Sequence, residues 1–405
     1  MFVSFCTVTN NPAFIDDTYQ SILKQNLSQW EWVIILDGIP EIEQLRGLDN
    51  VHQLHRDDGE YEKNNLGSMK KKAFLRAQGD LLVDLDHDDV LEPGSIHHLV
   101  AEAEKNPSAF LYGDSAGFKP NGMSVQINSP EWKSYDRMIG NYNLRFHTPP
   151  EPYPFSLCSY LTVPHQPRAW TRMAYTGVGG FDEKCIVACE HDLICRTYAH
   201  GTPMIHVPEA RSMYRIRGDA GGAMNIRRAE FDTYAHMNLW KHLRPMVARW
   251  CRQHKLTTAV VSCRKNDNIN IASYQWHDVF NVVAPTLDVA LAALLEKEAT
   301  LDKKFGAIMF SDFLQVIPAG EVAAKFKELT SGLIDDGWVL GDTPSSLGMG
   351  AGDPLGRSMW NEYTFKMIAP EVGLEIIYLN QYYPTTEHKT WNLSYIRSEL
   401  CMRRK

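Results

Sequence analysis

The stretch on which the fold prediction rests covers residues 79–89 and reads Gly79-Asp80-Leu81-Leu82-Val83-Asp84-Leu85-Asp86-His87-Asp88-Asp89. Its apolar run, Leu81 to Val83, gives way to closely spaced carboxylates, and Pro93-Gly94 follows soon afterwards. A short apolar run bounded by turn residues predicts a buried strand. The carboxylates then lie at the C-terminal end of that strand, which is where open α/β sheets bind their ligands.

This stretch alone leaves two interpretations of its carboxylates open. Neighbouring carboxylates repel each other, and a divalent cation such as Mg²⁺ or Mn²⁺, which also binds substrate phosphates, removes that repulsion. A solvated acidic turn or a helix cap accounts for the same residues equally well.

Length and composition define the class of protein. The chain has 405 residues, enough for two or three domains that each bury a core. Its net charge of -8 argues against a protein that coats nucleic acid. We expect no membrane span and no signal peptide, because no apolar run approaches spanning length and the chain opens on a strand-like segment. The eight scattered cysteines form no Cys-x-x-Cys motif, which predicts reduced thiols and a cytoplasmic location.

Strands and helices alternate around the acidic stretch. Strands are predicted at 2–8, 30–36, 51–54 and 81–83, and helices at 14–27 and 65–78. Such alternation within about ninety residues predicts a parallel, doubly wound α/β sheet. Asp37 follows the second strand and therefore lies at the same edge as Asp86 and Asp88. This convergence favours a ligand site over a plain acidic turn.

Five phrases, in order, carry a resemblance to a known family. They are Thr7-Val8-Thr9-Asn10 with Ser21-Ile22-Leu23-Lys24-Gln25-Asn26; Glu31-Trp32-Val33-Ile34-Ile35-Leu36-Asp37-Gly38; Gly67-Ser68-Met69-Lys70-Lys71-Lys72-Ala73; Leu85-Asp86-His87-Asp88-Asp89; and Gly179-Gly180-Phe181-Asp182-Glu183 ahead of Glu190-His191-Asp192-Leu193-Ile194-Cys195-Arg196. Over about residues 1–220 the chain resembles the inverting, family-2-like nucleotide-sugar glycosyltransferases. The resemblance implies the GT-A fold, an α/β fold with a Rossmann-like mixed sheet.

The resemblance also implies a nucleotide-sugar donor and a set of residues that bind it. Asp37 would accept hydrogen bonds from the donor base, Lys70 would neutralise or orient the nucleotide, and Asp86 would lie near the ribose. Asp88, with Asp86, would hold Mn²⁺ or Mg²⁺ against the diphosphate, where a metal cancels charge on the leaving group. The full predicted donor set is Thr7, Thr9, Asp37, Lys70, Asp86, Arg215 and Arg217.

The family's general base aligns with Glu190, and Asp192 is the second candidate for this catalytic role. Such a base removes the acceptor hydroxyl's proton as its oxygen attacks the anomeric carbon. The alternative for Glu190 is a carboxylate at a helix start, which the helix dipole favours.

Two positions depart from the family pattern. Arg217 stands where the family often has a histidine metal ligand, and a guanidinium binds diphosphate but not a cation. Lys70 replaces a common arginine, which keeps the charge but loses the planar fork. His206 is a substitute metal ligand or, more simply, a packed histidine.

Residues 118–175 are rich in aromatic residues and proline, and we expect a long irregular segment that faces the acceptor. Its aromatic rings suit stacking on sugars or bases. A small core beneath long loops is the equal alternative.

A second series of alternating strands and helices begins after residue 256. We therefore predict three parts: a GT-A domain at 1–238, a connector helix at 239–256 and a further domain at 257–405. Strands are predicted at 257–263, 279–284, 305–310, 337–340 and 375–380, helices at 287–298 and 321–333, and a basic tail after them. Residues 305–318 and 343–362 resemble phrases of class I methyltransferases. No Gly-x-Gly-x-Gly follows the first of these strands, so close approach of a cofactor is not expected. We predict a degenerate methyltransferase-like fold that does not bind S-adenosylmethionine.

The sequence thus predicts a metal-assisted inverting glycosyltransferase that acts on a saccharide acceptor. Three alternatives stay open: glycosylation of a hydroxymethylated base in DNA, a bifunctional glycosyl- and methyltransferase, and a non-catalytic glycan-binding protein. The acidic net charge opposes a DNA acceptor, but three basic stretches leave it open: Lys70-Lys71-Lys72, Arg227-Arg228 and Arg403-Arg404-Lys405.

Overall fold

The structure is a computed structural model of the chain. It describes residues 1–56, 65–125, 132–159, 164–216, 242–262, 279–284, 286–301, 304–311, 321–344, 362–382 and 397–404. The chain divides into two compact units, Met1–His242 and Leu243–Lys405.

The first unit is built on a mixed sheet of eleven strands among the described residues. They are β1 Val3–Thr9, β2 Trp30–Leu36, β3 Val51–His55, β4 Leu81–Asp84, β5 Val90–Leu91, β6 Phe110–Phe118, β7 Ser124–Val125, β8 Lys133–Ile139, β9 Tyr142–Thr148, β10 Arg168–Thr171 and β11 Met204–Arg215. Eight of them follow the order β3-β2-β1-β4-β10-β6-β11-β5, while β7 and β9 pair with β6, and β8 pairs with β9.

Six helices and a short 3-10 turn connect these strands. They are α1 Ile15–Leu23, the turn Glu43–Leu45, α2 Leu66–Arg76, α3 Ser95–Lys105, α4 Pro154–Ser159, α5 Arg172–Gly177 and α6 Cys189–His200. Helix α1 ends earlier than the predicted 14–27, and Asn26 just beyond it adopts a left-handed conformation with φ of 51°. Helix α2 begins after Asn65, whose side chain accepts a hydrogen bond from the Ser68 amide.

The parallel order predicted for the first strands is confirmed. Strand β1 pairs in parallel with both β2 and β4, and β2 pairs in parallel with β3. Apolar side chains along these strands, such as Phe5, Ile34 and Val83, are fully buried in one core. Burial on both faces explains why these strands read as continuous apolar runs in the sequence. Their C-terminal ends form one common edge.

Strand β10 changes the sheet from parallel to mixed. It lies between β4 and β6 and runs antiparallel to both, with Arg168 opposite Asp84 and Tyr112. The segment just before β10 therefore arrives at the same edge as the end of β4. The sequence analysis did not identify this strand, because its four residues lie within the segment predicted to be irregular.

The prediction of a long irregular segment at 118–175 is wrong. Strands β8 and β9 pair with each other, and β9 pairs with β6, so backbone hydrogen bonding organises much of the segment. Ala116, Leu144, Phe146 and Met213 form a separate small core there. This cluster agrees with the alternative of a small core in this region.

The second unit contains a six-stranded sheet among the described residues. Its strands are β12 Thr257–Ser262, β13 Val279–Val283, β14 Phe305–Ser311, β15 Leu333–Pro344, β16 Leu374–Tyr382 and β17 Arg397–Arg404, in the order β13-β12-β14-β15-β17-β16. Its helices are α8 Leu287–Ala299, α9 Val322–Leu329 and α10 Glu362–Glu371, and a helix α7 covers residues 242–253.

Two predictions for the second unit are corrected. The helix predicted at 321–333 ends at Leu329, because β15 already begins at Leu333. The end of the chain, Arg397–Arg404, is not a free basic tail but strand β17, which runs antiparallel between β15 and β16. The strand was not predicted because charged residues such as Arg403 and Arg404 outnumber its apolar positions, of which Met402 is fully buried.

Within the described ranges, none of the helices combines the length and the apolar character needed to cross a bilayer.

Candidate active site

The acidic turn after β4 exposes its carboxylates to very different extents. Asp84 ends the strand and is 1% exposed, Asp89 is fully buried, and Asp88 is 8% exposed. Asp86 is the accessible member, with 39% of its side chain exposed. A solvated acidic turn would expose most of these groups, so the structure disfavours that interpretation.

A single buried lysine joins the carboxylates of three elements. Lys70 Nζ, on α2, lies 2.7 Å from Asp84 Oδ1, 3.5 Å from Asp86 Oδ1 and 2.6 Å from Glu190 Oε1. Burial would lower the pKa of Lys70, but the three carboxylates raise it well above its usual value. The ammonium ion is therefore charged, and it links the end of β4 to the start of α6.

Asp84 is held by a second cation from the antiparallel strand. Arg168, the first residue of β10, donates a hydrogen bond from Nη2 to Asp84 Oδ2 at 2.7 Å. Burial raises the pKa of Asp84, while the charges of Lys70 and Arg168 oppose that rise. Asp84 accepts a hydrogen bond from Lys70 at one carboxylate oxygen and from Arg168 at the other, and it thereby fixes the position of Lys70.

Glu190 lies in the first turn of α6 and keeps 20% of its side chain exposed. Burial raises its pKa, but the charges of Lys70 and Arg168 outweigh that effect and leave the pKa below its usual value. Glu190 is thus an ionised, partly accessible carboxylate. An ionised carboxylate that solvent can reach can accept a proton, although a pKa below the usual value makes it a weaker base.

Asp192, the second candidate for the base, occupies a different environment. It is fully buried, and its carboxylate accepts hydrogen bonds from Arg196 Nε at 2.8 Å and from His242 Nε2 at 2.8 Å. Burial raises its pKa, but the bond from His242 and the charge of Arg196 lower it well below the usual range. A carboxylate enclosed in this way holds helix α6 in place and does not reach an acceptor, so the structure removes Asp192 from the catalytic set.

Asp37 directly follows β2, and Thr9 ends the neighbouring strand β1. The Asp37 amide donates a hydrogen bond to Thr9 O at 2.8 Å, which brings the two residues together at the sheet edge. Asp37 Oδ1 accepts a hydrogen bond from Arg56 Nη1 at 2.7 Å. Asp37 lies at the predicted edge, whereas Thr9 is 1% exposed and its hydroxyl donates to Asn11 O and accepts from the Asn11 amide. Arg56 is a further residue at this edge that the sequence did not indicate.

Thr7 does not lie at this edge. It is 1% exposed, and its hydroxyl donates a hydrogen bond to Leu85 O and accepts one from the Trp32 indole. Both bonds lie in the interior, so the structure gives Thr7 a packing role between strands and removes it from the predicted donor set.

Arg215 also makes its contacts with other residues of the protein. Its side chain donates hydrogen bonds to Asp88 O at 2.9 Å and to Asp17 Oδ2 at 2.7 Å, and it stacks on the rings of Phe14 and Phe118. Only 6% of the residue is exposed. It therefore fixes the acidic turn against α1 instead of contacting a diphosphate. Arg217 lies outside the described residues.

His206 pairs with a carboxylate away from the acidic turn. Its Nε2 lies 2.7 Å from Asp114 Oδ1, and Asp114 Oδ2 accepts hydrogen bonds from Tyr135 and Thr148. This network agrees with the packed-histidine interpretation and gives no support for a metal ligand.

The donor atoms at the acidic turn suit a cation that shares its coordination with a substrate. Among the residues described here, no group of three or more His, Cys, Asp or Glu side chains could hold a metal ion. Asp86 and Asp88 nevertheless supply carboxylate oxygens beside the edge. Mg²⁺ in particular is commonly bound by one or two carboxylates together with substrate phosphates and water. The residues therefore fit a phosphate-bridging metal and do not fit an all-protein site.

Sequence reasoning missed three residues that organise the site: Arg168, Gln166 and Arg56. Gln166 Nε2 donates a hydrogen bond to Asp86 Oδ2 at 2.9 Å. Gln166 and Arg168 come together with Asp86 only through the antiparallel insertion of β10. The one signal in the sequence was the polar run His165-Gln166-Pro167-Arg168 ahead of the apolar Ala169 and Trp170.

A family model matches the first part of the chain. Residues 5–159 match the family model of glycosyl transferase family 2. The match confirms the predicted family resemblance over that range, and with the mixed α/β sheet it supports a GT-A-like fold. The phrases from Gly179 to Arg196, which contain Glu190, lie beyond it.

A curated relative gives a similar result. The putative teichuronic acid biosynthesis glycosyltransferase TuaG of Bacillus subtilis (strain 168) is 26% identical over 136 residues. The aligned part is 32% of this chain and 52% of the relative, so the chain spans about half the length of the curated relative it matches.

Two solved structures align over larger parts of the chain. S. aureus TarS 1-349 in complex with UDP covers 82% of this chain and 81% of its own, with 12% identity and a TM-score of 0.42. GalNAc-T7 with UDP, GalNAc and Mn²⁺ covers 64% of this chain and 48% of its own, with 14% identity and a TM-score of 0.41.

Proposed function

We propose that the protein is an inverting glycosyltransferase that moves a sugar from a nucleoside diphosphate to an acceptor hydroxyl. The observation that carries the proposal is the contact of Lys70 with both Asp86 and Glu190. One buried cation joins the accessible carboxylate of the acidic turn to an accessible carboxylate on α6. The family match over residues 5–159 supports a sugar-nucleotide donor at this edge.

The proposed roles follow from the positions of the side chains. Asp37, with Arg56, binds the nucleoside beside Thr9, and Asp86 lies towards the ribose and diphosphate. Asp86 and Asp88 would hold Mn²⁺ or Mg²⁺, and the bound ion would supply Lewis-acid stabilisation of the diphosphate. Lys70 and Arg168 hold the carboxylates in place and keep Glu190 ionised.

The proposed reaction is a single displacement. Glu190 accepts the proton of the acceptor hydroxyl, and that oxygen forms a bond to the anomeric carbon. The bond from the anomeric carbon to the diphosphate oxygen breaks, and the diphosphate leaves with the electron pair. One attack from the opposite face inverts the anomeric centre. We keep a saccharide as the proposed acceptor, and a cytoplasmic location remains a prediction from the scattered cysteines.

The second unit is proposed to be methyltransferase-like in fold and inactive in methyl transfer. Four strands run parallel in the order β13-β12-β14-β15, and the reversed strand β17 separates β15 from β16. A final reversed strand inserted into a parallel sheet supports the resemblance. After β12 the sequence continues Cys263-Arg264-Lys265, where close approach of a cofactor would need glycine. The proposed domain division is 1–238, 239–256 and 257–405.

A panel of UDP-, GDP- and dTDP-activated hexoses tests the proposed transferase. A ligand that binds the native state raises the melting temperature by mass action, by an amount set by its concentration and Kd. We expect one donor to stabilise the protein, to stabilise it more with Mn²⁺ than with a chelator, and to release its nucleoside diphosphate slowly.

Glu190→Gln is the matched variant for this experiment. It should bind the same donor and lose about 10²- to 10⁴-fold in the rate of nucleotide release, because the proton acceptor is removed. Because the change also removes the charge paired with Lys70, the melting temperature of the variant without donor is measured as well. Asp49→Asn, an exposed carboxylate on a loop, serves as the control. A protein that no sugar nucleotide stabilises, or a Glu190→Gln variant with the wild-type rate, would refute the proposed function.

A further inference from the structure

Gln166 has a fixed orientation beside the acidic turn. Its Nε2 donates a hydrogen bond to Asp86 Oδ2 at 2.9 Å. A carboxylate only accepts hydrogen bonds, so the amide nitrogen must face Asp86 and the amide oxygen must point the other way. The orientation of the side chain is therefore set by the chemistry of its partner.

The amide oxygen of Gln166 is buried and unused. The residue is 2% exposed, and its Oε1 has no hydrogen-bond partner within the part of the chain that the structure describes. A buried acceptor without a partner costs free energy and is uncommon in native proteins. Because this one adjoins Asp86, it belongs to the edge where the donor is proposed to bind.

The preceding residue adds a second unused polar atom. His165 Nδ1 is also buried and without a partner among the described residues, and the ring packs edge-on against Tyr214. Burial and the charge of Arg168 lower the pKa of His165 to about 4, so the ring is neutral near pH 7. A neutral imidazole can accept or donate one hydrogen bond at Nδ1.

The chemistry of these two atoms determines which ligand groups could form hydrogen bonds with them. Gln166 Oε1 can only accept a hydrogen bond, so its partner must carry an O–H or N–H. Ionised phosphate oxygens also only accept, which rules out the diphosphate as the partner of Gln166 Oε1. A sugar hydroxyl or an acetamido N–H can donate to Gln166 Oε1, and a sugar hydroxyl can also bond to His165 Nδ1.

We propose that Gln166 and His165 form the subsite that recognises a hydroxyl or acetamido group on the transferred sugar. Gln166 accepts the hydrogen bond of that group, while its Nε2 keeps Asp86 in place. The proposal rests on the function proposed above and adds to it residues that select the donor sugar.

Deoxy analogues of the donor provide the test. The probes are the sugar nucleotide that gives the largest stabilisation in the panel, its 2-, 3-, 4- and 6-deoxy analogues, and the corresponding nucleoside diphosphate. Calorimetry on the full chain should give wild-type protein a Kd about 10- to 100-fold weaker for one deoxy analogue than for the parent, since a site built around a hydroxyl rejects ligands that lack it.

The variant Gln166→Met should abolish this discrimination. Loss of the bond to Asp86 weakens all donors by the same factor, whereas loss of Oε1 removes the difference between parent and deoxy analogue. Gln53→Met is the matched control, because Gln53 is hydrogen-bonded to the backbone of Ile42 at another place in the fold. Gln53→Met should keep the wild-type ratio of the Kd for that deoxy analogue to the Kd for the parent sugar nucleotide. His165→Phe preserves the ring packing and should lower the ratio as Gln166→Met does.

The possible failures are distinct. If no sugar nucleotide binds the wild-type protein, the proposed function fails and this proposal fails with it. If donors bind but wild-type protein binds all deoxy analogues equally, or if Gln166→Met retains the ratio, only the subsite is refuted. If Gln166→Met and His165→Phe weaken the nucleoside diphosphate as much as its sugar nucleotide and leave the ratio of parent to deoxy analogue unchanged, the two side chains belong to the ribose site, which also overturns the sugar assignment.

Discussion

Two carboxylates two residues apart on α6 have opposite environments. Glu190 points to Lys70 and keeps contact with solvent, whereas Asp192 is enclosed by Arg196 and His242. A difference of two positions along a helix turns side chains to well-separated faces. The chemistry of the site therefore depends on which face of α6 each residue occupies.

The enclosed carboxylate leads to a prediction about stability and pH. The pKa of Asp192 in the folded protein lies below its unfolded value of about 3.9. Its stabilisation is thus fully present above that value and is lost as the pH falls towards the folded pKa. We expect Asp192→Asn to lower the free energy of unfolding at pH 7 by about 3 kcal/mol or more, because it breaks a buried ion pair.

Urea denaturation at several pH values checks this prediction. The gap between wild type and Asp192→Asn should be largest near pH 7 and should narrow below about pH 4 as the wild-type carboxylate approaches protonation. Asp49→Asn should change stability by less than about 0.5 kcal/mol, because Asp49 lies in water. A gap that stays constant down to pH 3 would contradict the assignment.

Among the elements, α2 is placed by a close contact at its first turn. A Cβ on Gly67 would overlap the backbone carbonyl oxygens of Asp182 and Cys185. Because α2 carries Lys70, this contact sets the distance of the ammonium ion from Glu190 and Asp84. The glycine of the family phrase is thus explained by packing, which sequence comparison alone does not show.

Gly67→Ala should therefore affect both stability and activity. Overpacking against backbone typically costs about 1–3 kcal/mol, and displacement of α2 should reduce the rate of nucleotide release. Gly177→Ala is the control, because its Cβ would meet only His200 at an ordinary contact distance of 3.8 Å. Thermal melting and the donor assay measure both effects. Equal melting temperatures for the two variants would show that the contact relaxes without cost.

For the whole molecule, the second unit raises the question of methyl transfer. For the methyltransferase-like fold that we propose, the sequence after β12 lacks the glycines that close approach of a cofactor needs. We expect isothermal calorimetry with S-adenosylmethionine at millimolar concentration to give no binding heat on the full chain. Binding of the donor sugar nucleotide in the same preparation serves as the positive control. A saturable heat with S-adenosylmethionine would support the bifunctional alternative instead.

The sequence predicted most elements of the parallel part of the fold. Strands β1 to β4 carry apolar runs and are separated by helices or a short turn, and this local pattern predicts their parallel direction. The same pattern was enough to predict that Asp37, Asp86 and Asp88 lie at one edge of the sheet. Strands β10 and β17 were missed because their partners lie far away in the chain and their ends carry charged residues.

The sequence by itself predicted the acidic edge, the family resemblance and Glu190 as the base candidate, because each rests on short phrases of adjacent residues and on their order along the chain. Only the tertiary structure decided which carboxylates are accessible and what surrounds them. The insertion of β10 beside β4 brings Arg168 to Asp84 and Gln166 to Asp86, and the docking of α6 brings Glu190 to Lys70. These contacts join segments distant in sequence, and burial and charge act on a carboxyl group only through such neighbours.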